Sequence, residues 1–344
     1  MSDVGVDLGA LAAWMDREGL GSGPLTEVDA LAGGTQNVLV AFTRSGRRYV
    51  LRHPPLRKRA NSDETMRREA RLLAALKGTS VPHPALIAAC GDESVLGSAF
   101  YLMEPVAGVN ANQGLPPGLQ APEDQRALGF ALVDALVELS RVDHVAVGLA
   151  DFGRPEGWHA RQVARWRGQL EGYSATEGYD GPDLPGHEEA AAWLEEHQPE
   201  GGRLGLIHGD FHFANVIVDE HEPVVRAVVD WELASIGDPL LDLGHVLATW
   251  PTGGDLGVAV PGATDLPSRD EALAHYRART DADLSNLEWF RVLACYRLAV
   301  ILEGTYARAR AGMVPVELGD RLHRKSKLLL AHAVELIAPT GEIS

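Results

Sequence analysis

The chain has 344 residues, 45% of them hydrophobic and 23% charged, so it is too long for one small core, too apolar for disorder, and suited to one large domain or two lobes. Its net charge is -17: residues 1–110 carry 12 Lys and Arg against 12 Asp and Glu, and residues 111–344 hold the whole acidic excess with 19 against 36. A nucleic-acid partner needs a basic patch and is therefore not expected, whereas general solubility or a cationic small-molecule acceptor is compatible with this balance.

The chain opens on Asp3, Asp7 and Asp16 rather than on a basic stretch before an apolar run, and no apolar run is long enough to span a bilayer. A cytoplasmic protein without a membrane partner is the expectation. Cys90 and Cys295 lack neighbouring ligands at metal spacing and read as small buried residues.

Residues 6–19 read as a short amphipathic helix, followed by strand-like runs at 24–32, 37–43 and 48–52, the last two flanking a Ser45-Gly46 turn. A helix is predicted over 62–77, with Asn61 as cap and Glu64 three residues on as a variant capping box. Strands near 85–90 and 98–104 complete a small α+β lobe. The Gly-, Pro-, Asn- and Gln-rich stretch 108–122 reads as a hinge or lobe boundary. Helical periodicity then dominates at 123–141, 157–172, 187–197, 239–249, 269–279, 285–311 and 317–337, interrupted by strand-like runs at 204–207, 215–219 and 225–230. Residues 251–268, rich in Gly and Pro, read as a mobile loop.

Chemistry concentrates between two of those strand-like runs, in His208-Gly209-Asp210-Phe211-His212-Phe213-Ala214-Asn215. Asp210 and Asn215 have the separation of the catalytic Asp and metal-binding Asn of protein kinases. Asp230 ends the apolar run from Val224 to Val229, where a strand would deliver it to the same cleft. Phosphoryl transfer needs a positioned acceptor, a metal bridging the phosphates and donors that neutralise charge. Mg²⁺ takes hard oxygen ligands, which Asn215 and Asp230 supply. Singly, each residue is equally at home as a turn or cap residue; together they point to Mg²⁺-dependent phosphoryl transfer.

The run resembles the aminoglycoside phosphotransferase family, whose signature is His-Gly-Asp, four residues, then Asn. The stretch Val229-Asp230-Trp231-Glu232-Leu233-Ala234-Ser235-Ile236-Gly237-Asp238-Pro239-Leu240-Leu241-Asp242-Leu243-Gly244 resembles that family's metal-binding segment and following helix. It is most similar to the branch that includes kinase-like modules fused to acyl-CoA dehydrogenases, which Leu149-Ala150-Asp151-Phe152-Gly153-Arg154-Pro155-Glu156-Gly157 also fits. The resemblance runs from about residue 25 to 250.

It implies an α+β, protein-kinase-like two-lobe fold, with a nucleotide-binding lobe over 1–107 and a helical lobe over 108–344 carrying the catalytic loop and acceptor site. It further implies that Asp210 orients or deprotonates the acceptor hydroxyl, that Asn215 and Asp230 bind Mg²⁺, that His208 braces the loop, and that Asp242 is a buried support. A general-base role for His208 is the alternative. Asp151-Phe152-Gly153 spells a kinase metal-binding triplet but precedes the catalytic loop, so it is read as a connector.

On the nucleotide side, ATP or GTP needs a held cation near its phosphates. Arg52 stands where kinases place Lys, and offers a planar fork instead of a point charge. Its expected partner is Glu69, which shares a helix face with Leu72, Leu73 and Leu76; an exposed Glu69 paired with Arg68 or Lys77 is the alternative. Gly33 and Gly34 lie where backbone amides could cover phosphates, or in a plain turn. By resemblance, backbone groups of Glu104 and Val106 would bind the adenine edge beside Met103; a buried strand end explains them as well.

The acceptor should lie against the helical part, near Trp158, Trp166, Trp231, Glu232 or Trp250, most of the Trp being packing residues. An amino sugar, a small metabolic alcohol and a hydroxyacyl thioester remain open. So does a non-catalytic nucleotide-binding module, which Arg52 in place of Lys allows and the joint presence of Asp210, Asn215 and Asp230 opposes.

Overall fold

The computed structural model describes residues 5–31, 37–55, 58, 61–251 and 255–338. Helix α1 (Leu8–Arg17) starts where the Asp7 side chain accepts the Ala10 N–H at 2.9 Å, and it lays Leu11, Trp14 and Met15 on an antiparallel sheet. That sheet has the order β1-β2-β3-β5-β4, with β1 (Thr26–Ala30), β2 (Val38–Arg44), β3 (Arg47–His53), β4 (Leu86–Cys90) and β5 (Phe100–Met103). β2 and β3 are rich in β-branched and aromatic residues and join through Ser45 (φ 49°) and Gly46 (φ 76°), the paired positive φ that matches a two-residue hairpin to strand twist.

Helix α2 (Ser62–Leu76) connects β3 to β4. Asn61 precedes it but makes no side-chain capping bond, contrary to the predicted capping box. The first turn is instead tied to its surroundings, as Asp63 accepts the Ala99 N–H at 2.9 Å and Lys58 Nζ at 2.6 Å. Met66, Ala70, Leu73 and Leu76 join the core of the following helical part, so α2 belongs to both halves. Each such large side chain contributes about 1.5–3 kcal/mol on burial. Arg68 extends this docking, donating to Phe152 O at 2.8 Å and Ala234 O at 3.3 Å with its guanidinium 4.2 Å from the Phe152 ring. Arg71 adds bonds to Gly148 O and Asp151. Asp151-Phe152-Gly153 is therefore a connector that anchors α2.

The helical lobe comprises α3 (Pro122–Ser140), α4 (Gln162–Gly172), α5 (His187–Glu196), α6 (Leu240–Thr249), α7 (Arg269–Arg277), α8 (Leu287–Arg310) and α9 (Val316–Ile337). The predicted helix at 157–172 is shorter, because residues before Gln162 form a 3₁₀ turn. Two small antiparallel ladders interrupt the helices: β6 (Val109–Asn110), β8 (Val216–Val218) and β9 (Val225–Val228) in the order β6-β8-β9, and β7 (Gly205–Ile207) with β10 (Ser235–Gly237). Strands β6 and β10 are too short to leave a periodic trace in the sequence.

Where it is described, the 251–268 loop is pinned: Trp250 Nε1 donates to Pro267 O at 2.8 Å, Leu115 N to Pro261 O at 2.9 Å, and Thr264 N to Gln125 Oε1 at 2.8 Å. Among the described residues no helix is long and apolar enough to cross a membrane.

Candidate active site

The loop from His208 to Asn215 leaves β7 and enters β8, and its backbone is fixed from beneath by Asp242 at the start of α6. The Asp242 carboxylate accepts His208 N–H at 2.6 Å and Gly209 N–H at 2.8 Å, while its own burial pushes its pKa up to about 6. Gly209 has φ 81°, and a Cβ there would lie 2.7 Å from Leu233 O, so the turn admits only glycine.

His208 completes the brace. Its Nδ1 accepts the Asp210 N–H at 3.1 Å, which places the ring proton on Nε2, and Nε2 donates to Val229 O at 2.9 Å. Burial pulls its pKa down to about 4, so the ring is a neutral strut and its nitrogens are both engaged. That arrangement matches the brace rather than the general base.

Asp210 is therefore aimed by its neighbours. Asn215 Nδ2 donates to Asp210 O at 2.8 Å and to Oδ2 at 3.0 Å, leaving the Asn215 amide oxygen as the free donor for a cation. His245 Nε2 lies 3.1 Å and His212 Nε2 3.5 Å from Asp210 Oδ1. Although burial opposes it, these two imidazoles hold the Asp210 pKa well below the usual carboxylate range. Asp210, His212 and His245 also cluster at metal-ligand spacing. However, His212 Nδ1 accepts the Ala214 N–H at 3.2 Å, so its proton sits on Nε2 facing Asp210. The trio orients a carboxylate rather than offering three lone pairs to an ion.

Across from this loop, Asp230 follows β9 in the left-handed region (φ 65°, ψ 61°), a conformation Asp tolerates better than most residues. Its Oδ1 accepts Arg52 NH2 at 2.9 Å. The same guanidinium pairs with Glu69, Nε to Oε2 at 2.8 Å and NH2 to Oε1 at 3.1 Å, and Tyr101 OH donates to Glu69 Oε2 at 2.7 Å. Glu69 is 2% exposed, so the predicted buried pair forms; Arg68 is engaged by the helical lobe instead. Burial alone would lower the Arg52 pKa, but the surrounding Tyr101, Glu69 and Asp230 raise it, and Arg52 stays charged.

The Glu104 N–H donates to Ala85 O at 2.9 Å, Glu104 is exposed and Val106 is half-buried. Gly33 and Gly34 lie outside the described residues. Asn215 and Asp230 together offer hard oxygens from either side, the donor set that suits Mg²⁺.

A profile of the phosphotransferase enzyme family matches residues 27–293. The chain belongs to that family. A crystal structure of a candidate aminoglycoside phosphotransferase from Ralstonia eutropha JMP134 is 28% identical with a TM-score of 0.78, covering 96% of this chain and 99% of that one. A thermostable mutant of aminoglycoside phosphotransferase APH(4)-Ia, in ternary complex with AMP-PNP and hygromycin B, shares the fold at TM-score 0.59 and 15% identity, over 96% and 99% of the two chains. Among curated proteins, acyl-CoA dehydrogenase family member 11 of Gallus gallus is 32% identical over 317 residues, 88% of this chain but only 39% of the relative. The chain thus spans about two fifths of that relative's length. The fold is the expected kinase-like, two-lobe α+β phosphotransferase fold.

The family's structure also brings in residues that sequence reasoning passed over. Tyr101 was read only as part of a strand, and His245 only as part of a helix. His245 had one available signal: it lies one helical turn after Asp242, on the side that faces the loop. Trp158, Trp166, Trp231 and Trp250 are all buried, and Glu232 lies in a 3₁₀ turn rather than on an alternating strand.

Proposed function

We propose that this protein transfers the γ-phosphoryl group of ATP, or GTP, to a hydroxyl of a small molecule in a Mg²⁺-dependent reaction. The observation that supports this is the chain of contacts that joins the two sides: Asp210 and Asn215 are bonded to each other in one loop, Asn215 O accepts the Val229 N–H at 2.9 Å, and the next residue, Asp230, pairs with Arg52, which pairs with Glu69. Residues 1–107 would hold the nucleotide and residues 108–344 the acceptor.

Arg52 would face the phosphates, held in place by Glu69 and Tyr101, while the carbonyl of Glu104 and the amide of Val106 would read the purine edge. The Asn215 amide oxygen and Asp230 would hold Mg²⁺, which neutralises phosphate charge when bound. Asp210, kept ionised by His212 and His245, accepts the acceptor's hydroxyl proton and fixes the oxygen for attack.

For the acceptor, a hydroxyacyl thioester is favoured over a cationic amino sugar. The curated relatives are named acyl-CoA dehydrogenases. A groove along α9 carries Arg321, Arg324, Lys325 and Lys327 with Val258 and Leu328, against Glu189 and Asp255, and its net positive lining suits a phosphate-bearing acyl carrier better than a polycation. The test is a transfer assay with Mg²⁺ and labelled ATP over a panel containing hydroxyacyl-CoA thioesters, simple alcohols and aminoglycosides. Turnover of the thioesters supports the reading; turnover of aminoglycosides alone contradicts the acceptor assignment. Nucleotide binding without turnover of any acceptor would favour a regulatory module.

A further inference from the structure

Helices α4 and α8 bring together two buried donors with nothing to donate to, Arg297 NH1 and Trp166 Nε1. Arg297 on α8 is 4% exposed, its NH1 has no hydrogen-bond partner, and among the described residues no carboxylate pairs with it. Its guanidinium lies 5.0 Å from the ring of Trp166 on α4, whose Nε1 is likewise buried and unpartnered. A second guanidinium, Arg165, lies 4.9 Å from the same ring.

Arg and Trp side chains donate and never accept, so this cluster lacks acceptors, not donors. Leaving a buried cation unpaired is among the costliest arrangements in a folded protein. Burial pulls the Arg297 pKa down to about 10; Asp210 and Asp242 offset part of that loss, and Arg165 adds to it. Arg297 is therefore close enough to Asp210 for their charges to interact, while neither Asp satisfies its hydrogen bonds.

We infer that Arg297 and Trp166 form an acceptor subsite beside Asp210 that binds a carbonyl-type oxygen, either the carboxylate of a hydroxy acid or the carbonyl of its thioester. This rests on Asp210 being the residue that receives the acceptor hydroxyl. The bound oxygen supplies the missing hydrogen-bond acceptor, and the subsite sets the distance between that oxygen and the hydroxyl that is phosphorylated. An acceptor without the oxygen would leave the donors unpaired and be rejected, as sites built to pair a polar group reject analogues lacking it.

The experiment compares a hydroxybutyrate, its coenzyme A thioester and the matching butanediol, in binding by calorimetry and in transfer, with the wild type, Arg297→Met and Asp210→Asn. The wild type should prefer the carbonyl-bearing compounds over the diol, and Arg297→Met should shrink that preference by roughly 100-fold or more, with the KM for ATP unmoved. Thermal unfolding separates this from a structural role. Removing an uncompensated buried cation should leave the ligand-free protein as stable as before or more so, whereas a structural counter-ion would lower its Tm. A wild type that prefers neither carbonyl-bearing compound, or an Arg297→Met protein that keeps the preference, overturns the subsite. If Asp210→Asn abolishes transfer in the latter case, the phosphotransferase reading stands without it; if Asp210→Asn transfers normally, that reading fails first.

Discussion

The two sides of the cleft solve the same problem, holding charge in place, by different means. On the nucleotide side Arg52, Glu69 and Asp230 come from a strand, a helix and a distant turn, and they meet through opposite charges, with the Tyr101 hydroxyl added on Glu69. On the catalytic side Asp210 is held largely by its own loop: His208, Gly209 and Asn215 are neighbours in the chain, and Asp242, His245 and the Val229 carbonyl add anchors from farther along it. The first arrangement is strong when complete and fragile to loss of one charge. The second tolerates loss of charge better than loss of shape.

The largest expected effect therefore lies on the nucleotide side. Arg52→Ala leaves Glu69 buried without its cation and should cost about 3–5 kcal/mol of stability, read by denaturant unfolding, together with nucleotide affinity. Arg52→Lys should recover part of both, because a point charge reaches one carboxylate better than two. Recovery in full would mean that the bidentate geometry is irrelevant.

On the catalytic side, shape should matter most. Gly209→Ala forces a Cβ against Leu233 O and displaces Asp210, and a displacement near 1 Å should lower kcat by roughly 100-fold. Activity within a few fold of wild type would show that the loop is softer than its bonding suggests.

The smallest effect is a slope. His208 has its pKa lowered from 6.5 to about 4, so the unfolded chain binds its proton first and stability falls with acidification across that window. Asp242, raised from 3.8 to about 6, keeps its proton in the folded state and works in the opposite direction. The two nearly cancel in the wild type. Asp242→Asn removes one of them, so its stability should rise with pH between about 4 and 6.5, at up to about 1.4 kcal/mol per pH unit. A flat profile in that variant would mean that His208 is not held neutral as its contacts require.

The same contrast explains what could be read from the residues alone. Asp210 and Asn215 were legible because the groups that act together are five positions apart and flanked by apolar strands. Arg52 and Glu69 were legible one step less directly, through strand position and a helix face that left a carboxylate needing a cation. Asn61 does stand at the N-cap of α2, but its side chain makes no capping bond, while Asp63 in the first turn is engaged by Lys58 and the Ala99 amide, contacts that the local sequence does not show. His245 and Arg297 stay hidden for the same reason, since each looks like an ordinary helical residue until the helices pack; Trp166 is among the acceptor-side candidates, but its contact with Arg297 leaves no trace in the chain. The charge balance does not choose the acceptor: the lobe is acidic overall, while Arg297 is buried and Arg321, Arg324, Lys325 and Lys327 line a groove along α9.

The most direct measurement of the central claim is Mg²⁺-dependent transfer of the γ-phosphoryl group from ATP, compared between the wild type and Asp210→Asn, which keeps the shape of the side chain and removes its charge. The account predicts a loss of roughly 100- to 10,000-fold in kcat with nucleotide binding and folding retained. Equal turnover by the two proteins would contradict it.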